Sequence, residues 1–410
     1  MNEGSTAPAF TARYARKREA IVAAAACTIN RAGIKGMTLA DVAASVGLIT
    51  TSVTYYFKRK EDLAAACFLN GIARLDALVG EALAEPTPQA RLARLLDLYL
   101  DLDRRIRAGK APPIVMFSDI RALGEPHRTS VGAAFGTLFR KVRSLFDAPG
   151  FEWMSRKKAT ARTFVLVEQV LWLAVWLPRY EVEDYPRVRE RMLDILVNGL
   201  AAPGAAWAPS PLAQALPAPA DAQARSREAF LLAATRLINR RGYRGASVEQ
   251  ISAELNVTKG SFYHHNEAKD DLVVACFERS FEVVRRVQSA AMRLDADPWV
   301  QLSSAAAQLV EHQLSDEGPL LRTSAFSALP ETIRHRMIDS QNRLSERFAA
   351  MISDGVAAGA IRAVDPAIAA QMLNATLNAA ADLRVSAAQV TRDEVARLYA
   401  KPMLVGLFSR

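Results

Sequence analysis

Apolar positions along this chain keep helical spacing. Ile21, Ala25, Thr28 and Ile29 fall at the three- and four-residue intervals of one helix face, and 209 residues later Phe230, Ala234, Leu237 and Ile238 keep the same intervals. Each run closes on a glycine, Gly33 or Gly242, where a left-handed C-terminal cap carries no Cβ penalty. No segment sustains the period-two alternation of a half-buried strand, so the pattern predicts an all-α protein. The two runs belong to a longer duplication. Residues 16–68 recur as 225–277 without insertion or deletion, and 19 of the 53 paired positions are identical.

Within each copy, further signals divide the pattern. Thr38-Leu39-Ala40-Asp41 and Ser247-Val248-Glu249-Gln250 stand where a second helix should begin, the latter as a capping box and the former as an acidic variant of one. Those helices are expected over 39–46 and 248–255. A bend follows at Gly47-Leu48 or Asn256-Val257, because asparagine is the non-glycine residue that best tolerates a left-handed turn. A third short helix turns Val53 or Phe262 inward, and a fourth opens near Lys60 or Lys269. Phe57 continues the stripe of Val42, Val46 and Val53 and is assigned to the core. Helix, tight turn and short helix outline a helix-turn-helix.

Chain length, at 410 residues, suits two similar units, and 50% hydrophobic with 23% charged residues lets each bury a core. Between them, 201–224 is rich in alanine and proline, carries one charge, and reads as a semi-extended linker. The repeat reaches beyond its most similar blocks, since 112–123 parallels 318–329 and both halves close on related apolar segments. A net charge of +9 admits nucleic acid as a partner without requiring it. Cys27, Cys67 and Cys276 are expected as buried free thiols. The N-terminus lacks the apolar core of a signal peptide, and no stretch approaches 18 uninterrupted apolar residues, so a cytoplasmic protein without membrane contact is expected. None of the five histidines has a zinc-ligand spacing. No phosphate-binding or dinucleotide glycine loop and no nucleophile elbow occurs, so neither enzyme activity nor a metal or cofactor is expected.

The segments TLADVAASVGLITTSVTYYFKRKEDL, 38–63, and SVEQISAELNVTKGSFYHHNEAKDDL, 247–272, resemble the DNA-binding signature of TetR/AcrR-family transcriptional regulators. The resemblance covers about 50 residues in each half. It implies helix-turn-helix DNA-binding domains at 13–62 and 225–271, and helical ligand-binding and dimerisation domains at 63–200 and 272–410, with 201–224 between. Thr38 and Ser247 would then start the first helix of each motif and touch phosphate. Thr50, Thr51, Ser52, Thr54, Tyr55 and Tyr56 in the first copy, and Thr258, Lys259, Gly260, Ser261, Tyr263, His264 and His265 in the second, would enter the major groove of double-stranded operator DNA. Lys60 and Lys269 would meet phosphate. Such roles are chemically apt, because lysines and helix starts hold the backbone whereas hydroxyls, phenols and imidazoles read base edges.

Each copy departs from the signature. The first has Ile49 where a small hydroxyl is usual, Thr51 in place of glycine and Thr54 in place of tyrosine. The second has Asn266 where Phe57 stands in the first. With such unlike reading surfaces, the two half-sites should differ. Residues 1–62 hold nine Lys and Arg against five acidic residues, and 221–272 hold eight against seven, so the first copy should carry more of the salt-sensitive binding. Phe117, Phe135, Phe139, Trp172 and Trp176 suggest an aromatic-lined cavity for a hydrophobic small-molecule effector, against a second copy dominated by Ala, Leu and Met. By resemblance, 161–178, 185–200, 366–383 and 392–408 are interface helices. They would pair within one chain as a pseudo-dimer or between chains as a homodimer. The expected function is ligand-responsive regulation, by repression. The alternative is a sensing or protein-interaction module in which one or both motifs no longer bind DNA specifically.

Overall fold

The computed structural model of the protein describes residues 7–212, 221–242, 248–254, 269–380 and 390–410. Among the described residues every regular element is helical, beside one isolated bridge between Ala201 and Ile361. Two compact units form: Met1–Leu78 with Asp101–Arg140, and Val79–Leu100 with Lys141–Arg410.

The first unit contains α1 (Ala7–Gly36), α2 (Leu39–Ser45), α3 (Thr50–Tyr56) and most of α4 (Lys60–Ala82). The end of α5 (Pro88–Arg107), a 3-10 turn Phe117–Ala122 and most of α6 (His127–Arg143) complete it. Gly33 breaks α1 at φ 65°, the left-handed conformation expected of it. Ile21, Ala25 and Ile29 are buried with Val42, Val53, Leu63 and Phe68, so the helical stripe is the core. Cys67 lies in that core and its thiol donates to the Val22 carbonyl at 3.4 Å. Cys27, expected to be buried, is exposed, because its position falls off the stripe of Ile21, Ala25 and Ile29.

Asn30, near the end of α1, grips a distant segment. Its amide donates to the Ile114 carbonyl at 2.8 Å, and its side-chain oxygen accepts from the Met116 N–H at 2.7 Å. The second copy repeats this clamp: Asn239 donates to the Leu320 carbonyl at 2.8 Å and accepts from the Arg322 N–H at 3.0 Å. Cys276 likewise donates to the Leu231 carbonyl, the counterpart of the Cys67 contact.

The second unit holds the rest of α4, α5 and α6, then α7 (Arg156–Trp176), α8 (Tyr185–Asn198), α9 (Ala222–Arg241) and α10 (Val248–Glu254). These are followed by α11 (Lys269–Met292), α12 (Pro298–Leu314), α13 (Glu331–Ala357) and α14 (Pro366–Ala380). Near the C-terminus α15 (Arg392–Val395), a π-helical turn Ala396–Ala400 and α16 (Lys401–Val405) run on from one another. Here the helices expected at an interface pack inside one chain. α7 lies on α14 and α8 on both α14 and α16. Gln169 donates to the Met372 carbonyl at 2.7 Å and the Thr376 hydroxyl at 3.1 Å, and the Trp172 indole N–H donates to Gln371 at 3.3 Å. Leu200 N–H donates to the Leu404 carbonyl at 2.7 Å and Leu407 N–H to the Leu196 carbonyl at 2.8 Å, a nearly reciprocal pair. Arg162 is buried and donates to the carbonyls of Leu407 and Ser409, at 2.6 and 2.8 Å; burial pulls its pKa down to about 10.

The first twelve residues of the expected linker are docked, not free. Ala202 N–H donates to the Ala360 carbonyl, Arg362 N–H to that of Leu200, and Ser210 N–H to the Ser304 hydroxyl. The Trp299 indole N–H holds the Ala206 carbonyl at 2.8 Å, and Leu212 is buried. Residues 222–224, at the linker's other end, already belong to α9, whose first turn Asp221 caps. Proline-rich composition signals an extended backbone but not whether its carbonyls find donors.

Candidate nucleic-acid interface

The first motif is built by two caps. Thr38 accepts the Asp41 N–H at 3.1 Å and donates its hydroxyl proton to the Asp41 carboxylate at 2.7 Å. The shorter Asp41 side chain thus meets the hydroxyl instead of completing a capping box. At the other end of α2, Gly47 takes φ 67°, with Gly47 N–H bonded to the Ala44 carbonyl and Leu48 N–H to that of Ala43. This Schellman closure turns the chain into α3. Val53 and Phe57 are buried beneath α3 and anchor it, and the Arg18 guanidinium lies 5.1 Å from the Phe57 ring centre.

With that face fixed, Thr50, Thr51 and Tyr55 are exposed, while Ser52, Thr54 and Tyr56 are half-buried. The Thr54 hydroxyl donates to the Thr51 carbonyl at 2.9 Å. Thr38 is exposed, as are Arg13, Arg16, Lys17, Arg18, Lys58 and Arg59. Lys60 opens α4 as expected, and its ammonium donates to the Lys35 carbonyl at 3.3 Å, at the end of α1. A residue not singled out from the sequence joins this surface. Tyr14 packs its ring 4.7 Å from that of Tyr56 and 6.1 Å from that of Tyr55, linking α1 to α3. Its only sequence signal is an aromatic within the basic cluster that starts α1.

Asp62 organises the start of α4. It accepts the Arg59 N–H at 3.1 Å and lies 2.9 Å from the His127 Nε2 that opens α6. Burial pushes its pKa up, but hydrogen bonds from Arg59, the Arg59 charge and the His127 contact together bring it below the usual carboxylate value.

In the second copy, Gly242 takes φ 72° and α10 follows at Val248–Glu254. Ser247, Thr258, Lys259, Gly260, Ser261, Tyr263, His264, His265 and Asn266 lie outside the described residues, as does the Lys269 side chain at the start of α11.

The effector residues divide between the units. In the first, Phe117 lies 5.8 Å from Phe135 and 6.2 Å from Phe68, with Phe139 half-buried on α6. In the second, Trp172 and Trp176 are buried, the former bonded to Gln371. The contrast expected with the other copy is reduced, because Phe277, Phe281 and Phe326 form an aromatic cluster there, Phe277 and Phe326 being stacked at 4.5 Å.

Two windows of the chain, 21–67 and 230–276, match the family model described as bacterial regulatory proteins, tetR family, at the same 209-residue offset as the repeat. Residues 295–407 match a tetracyclin repressor-like C-terminal domain. The chain belongs to the TetR family. It is a tandem member, with two TetR-type units in one polypeptide. Among curated relatives it is 28% identical over 131 residues to the HTH-type transcriptional repressor DhaR of Mycobacterium sp. (strain GP1), an alignment covering 31% of this chain and 66% of DhaR. It is 36% identical over 74 residues to the HTH-type transcriptional regulator LmrA of Bacillus subtilis (strain 168), covering 18% of this chain and 39% of LmrA. It thus spans less than two thirds of the length of either relative. Solved structures similar to it include the TetR-family regulator PfmR from Thermus thermophilus, 23% identical with a TM-score of 0.38, covering 44% of this chain and 99% of PfmR. FadR from Bacillus subtilis is 14% identical with a TM-score of 0.36, covering 43% of this chain and 97% of FadR.

Proposed function

We propose that this TetR-family chain is a one-component transcriptional repressor that binds operator DNA as a pseudo-dimer made within a single polypeptide. The supporting observation is the packing of α7 and α8 against α14 and α16 through the Gln169, Trp172, Leu200 and Leu407 hydrogen bonds. A surface so used is not free to pair with a second chain. One chain then presents two unlike recognition helices to two unlike half-sites, with Thr50, Thr51 and Tyr55 outward on the first. Thr38 and Lys60, with Lys269 in the second copy, would hold phosphates. Acting directly on DNA places the protein in the cytoplasm. A small hydrophobic effector in the helical domains would regulate it by binding one arrangement of the recognition helices more tightly than another. Phe117 and Phe135 are candidates for its lining.

Selecting fragmented genomic DNA with the purified chain at near-physiological salt, then sequencing what is retained, tests this reading. Enrichment of a short site with two unlike halves supports it; a long palindrome points to a homodimer of tandem chains. The second reading, a sensing or interaction module with a decayed motif, is motivated by Asn266 in place of the Phe57 anchor, and it predicts no enriched site.

A further inference from the structure

Two large apolar side chains stand out in the water-facing surface of the first motif. Ile49 is 71% exposed and Tyr55 69%, whereas the other exposed large hydrophobics among the described residues reach only 43%. Ile49 occupies the N-cap position of α3, extended at φ −86° and ψ 153°, and supplies no side-chain cap. The matching residue of the second copy is Thr258, whose hydroxyl can cap, so the first copy has given up a cap for a branched hydrocarbon in solvent. The Schellman turn at Gly47 and the buried Val53 and Phe57 fix the backbone on both sides, so the side chain is held outward.

The motif that carries Ile49 is also rich in exposed cations. Arg13, Arg16, Lys17 and Arg18 are exposed on α1, and Lys58 and Arg59 are exposed just beyond α3. A motif that presents both cations and an outward apolar side chain complements a polyanion that displays an apolar group. Among base edges in the major groove of DNA that group is the 5-methyl of thymine. We propose that Ile49 reads the methyl group of one thymine in the half-site of the first copy, and so helps set its specificity. This assignment rests on the regulator reading above and deepens it, since Thr258 at the matching position, with one methyl beside a hydroxyl, offers a smaller apolar surface to the other half-site.

The test is a deoxyuridine scan, because uracil keeps every hydrogen-bonding edge of thymine and lacks only the methyl. On the site recovered by genomic selection, each thymine is replaced singly, and binding of the full wild-type chain and of Ile49→Ser is measured by fluorescence anisotropy. Serine at an exposed N-cap should leave folding intact, as circular dichroism would show. At one position in one half-site, wild type should lose about four-fold in affinity, the factor that corresponds to one methyl at ~0.8 kcal/mol. Ile49→Ser should bind the thymine and uracil forms of that position equally and respond as wild type elsewhere. A selected site at which the two proteins show the same thymine-to-uracil ratio throughout overturns the assignment alone. Failure to select any site overturns it together with the regulator reading.

Discussion

Gly199 and Gly406 lie at the junction of the two halves, each with its α-carbon so close to the backbone of the other's segment that no side chain fits. A Cβ on Gly199 would strike the backbone of Val405 and Gly406, and a Cβ on Gly406 would strike the carbonyl of Val197. Both residues take positive φ, 70° and 96°, with extended ψ, a region closed to L side chains. The flanking bonds from Leu200 to Leu404 and from Leu407 to Leu196 make the contact nearly two-fold symmetric within one chain. Gly199→Ala and Gly406→Ala should each cost about 1–3 kcal/mol from backbone strain alone and lower Tm by several degrees. Because the two sites share one junction, the double variant should cost less than the sum. Thermal unfolding followed by circular dichroism checks this; unchanged Tm in both single variants would refute the close approach.

The paired Asn30 and Asn239 clamps make a second prediction. Asn30→Ala would leave the Ile114 carbonyl and the Met116 N–H without their partner, at about 1–3 kcal/mol. Asn30→Asp keeps an acceptor for Met116 but turns a carboxylate on the Ile114 carbonyl, so it should not rescue. The same pair of results is expected at Asn239 with Leu320 and Arg322. Hydrogen exchange should quicken locally at Met116 in the first case and at Arg322 in the second.

Thiol reactivity separates the three cysteines. Burial pushes the Cys67 and Cys276 thiols up to about 12, while Cys27 is exposed. Only the thiolate alkylates, so iodoacetamide at pH 8 should modify Cys27 alone in the folded protein and all three after denaturation. Peptide mass spectrometry reads the outcome.

Protonation of Asp62 should loosen the starts of α4 and α6. Its folded pKa lies below its ordinary value, so its contribution is present above about pH 4, the usual carboxylate value, and lost as pH falls through the folded value. Asp62→Asn should remove that acid-side dependence. A chemical-shift titration of the amides near Arg59 and His127 would show it in wild type and not in the variant.

Much of this architecture is legible in residues 16–68 because each signal there is local. Gly33, Thr38, Gly47 and Lys60 sit where the pattern places them, and the expected third helix is α3 itself. Asn30 and Asn239 are visible as an identity, but their role depends on carbonyls and amides more than 80 residues away. The docking of 201–212 is not legible, because its donors are Trp299, Ser304 and backbone groups from other elements. Cys27 is misplaced when a whole apolar segment is treated as buried, since only one face of α1 is. Tyr14 needs the fold, because nothing in sequence brings it to Tyr55 and Tyr56.

The phosphate roles of the two lysines are tested by salt dependence. Lys60→Gln and Lys269→Gln should each weaken binding alike on all DNA sequences and reduce the slope of log K against log salt by about 1. Unchanged slopes would remove them from the interface.

The most direct test of the central claim is the mass of the complex on a short duplex carrying one selected operator, measured by native mass spectrometry or light scattering. A single-chain pseudo-dimer predicts one polypeptide per duplex with both half-sites protected from cleavage. Two polypeptides on the same duplex, or protection of one half-site only, would contradict it.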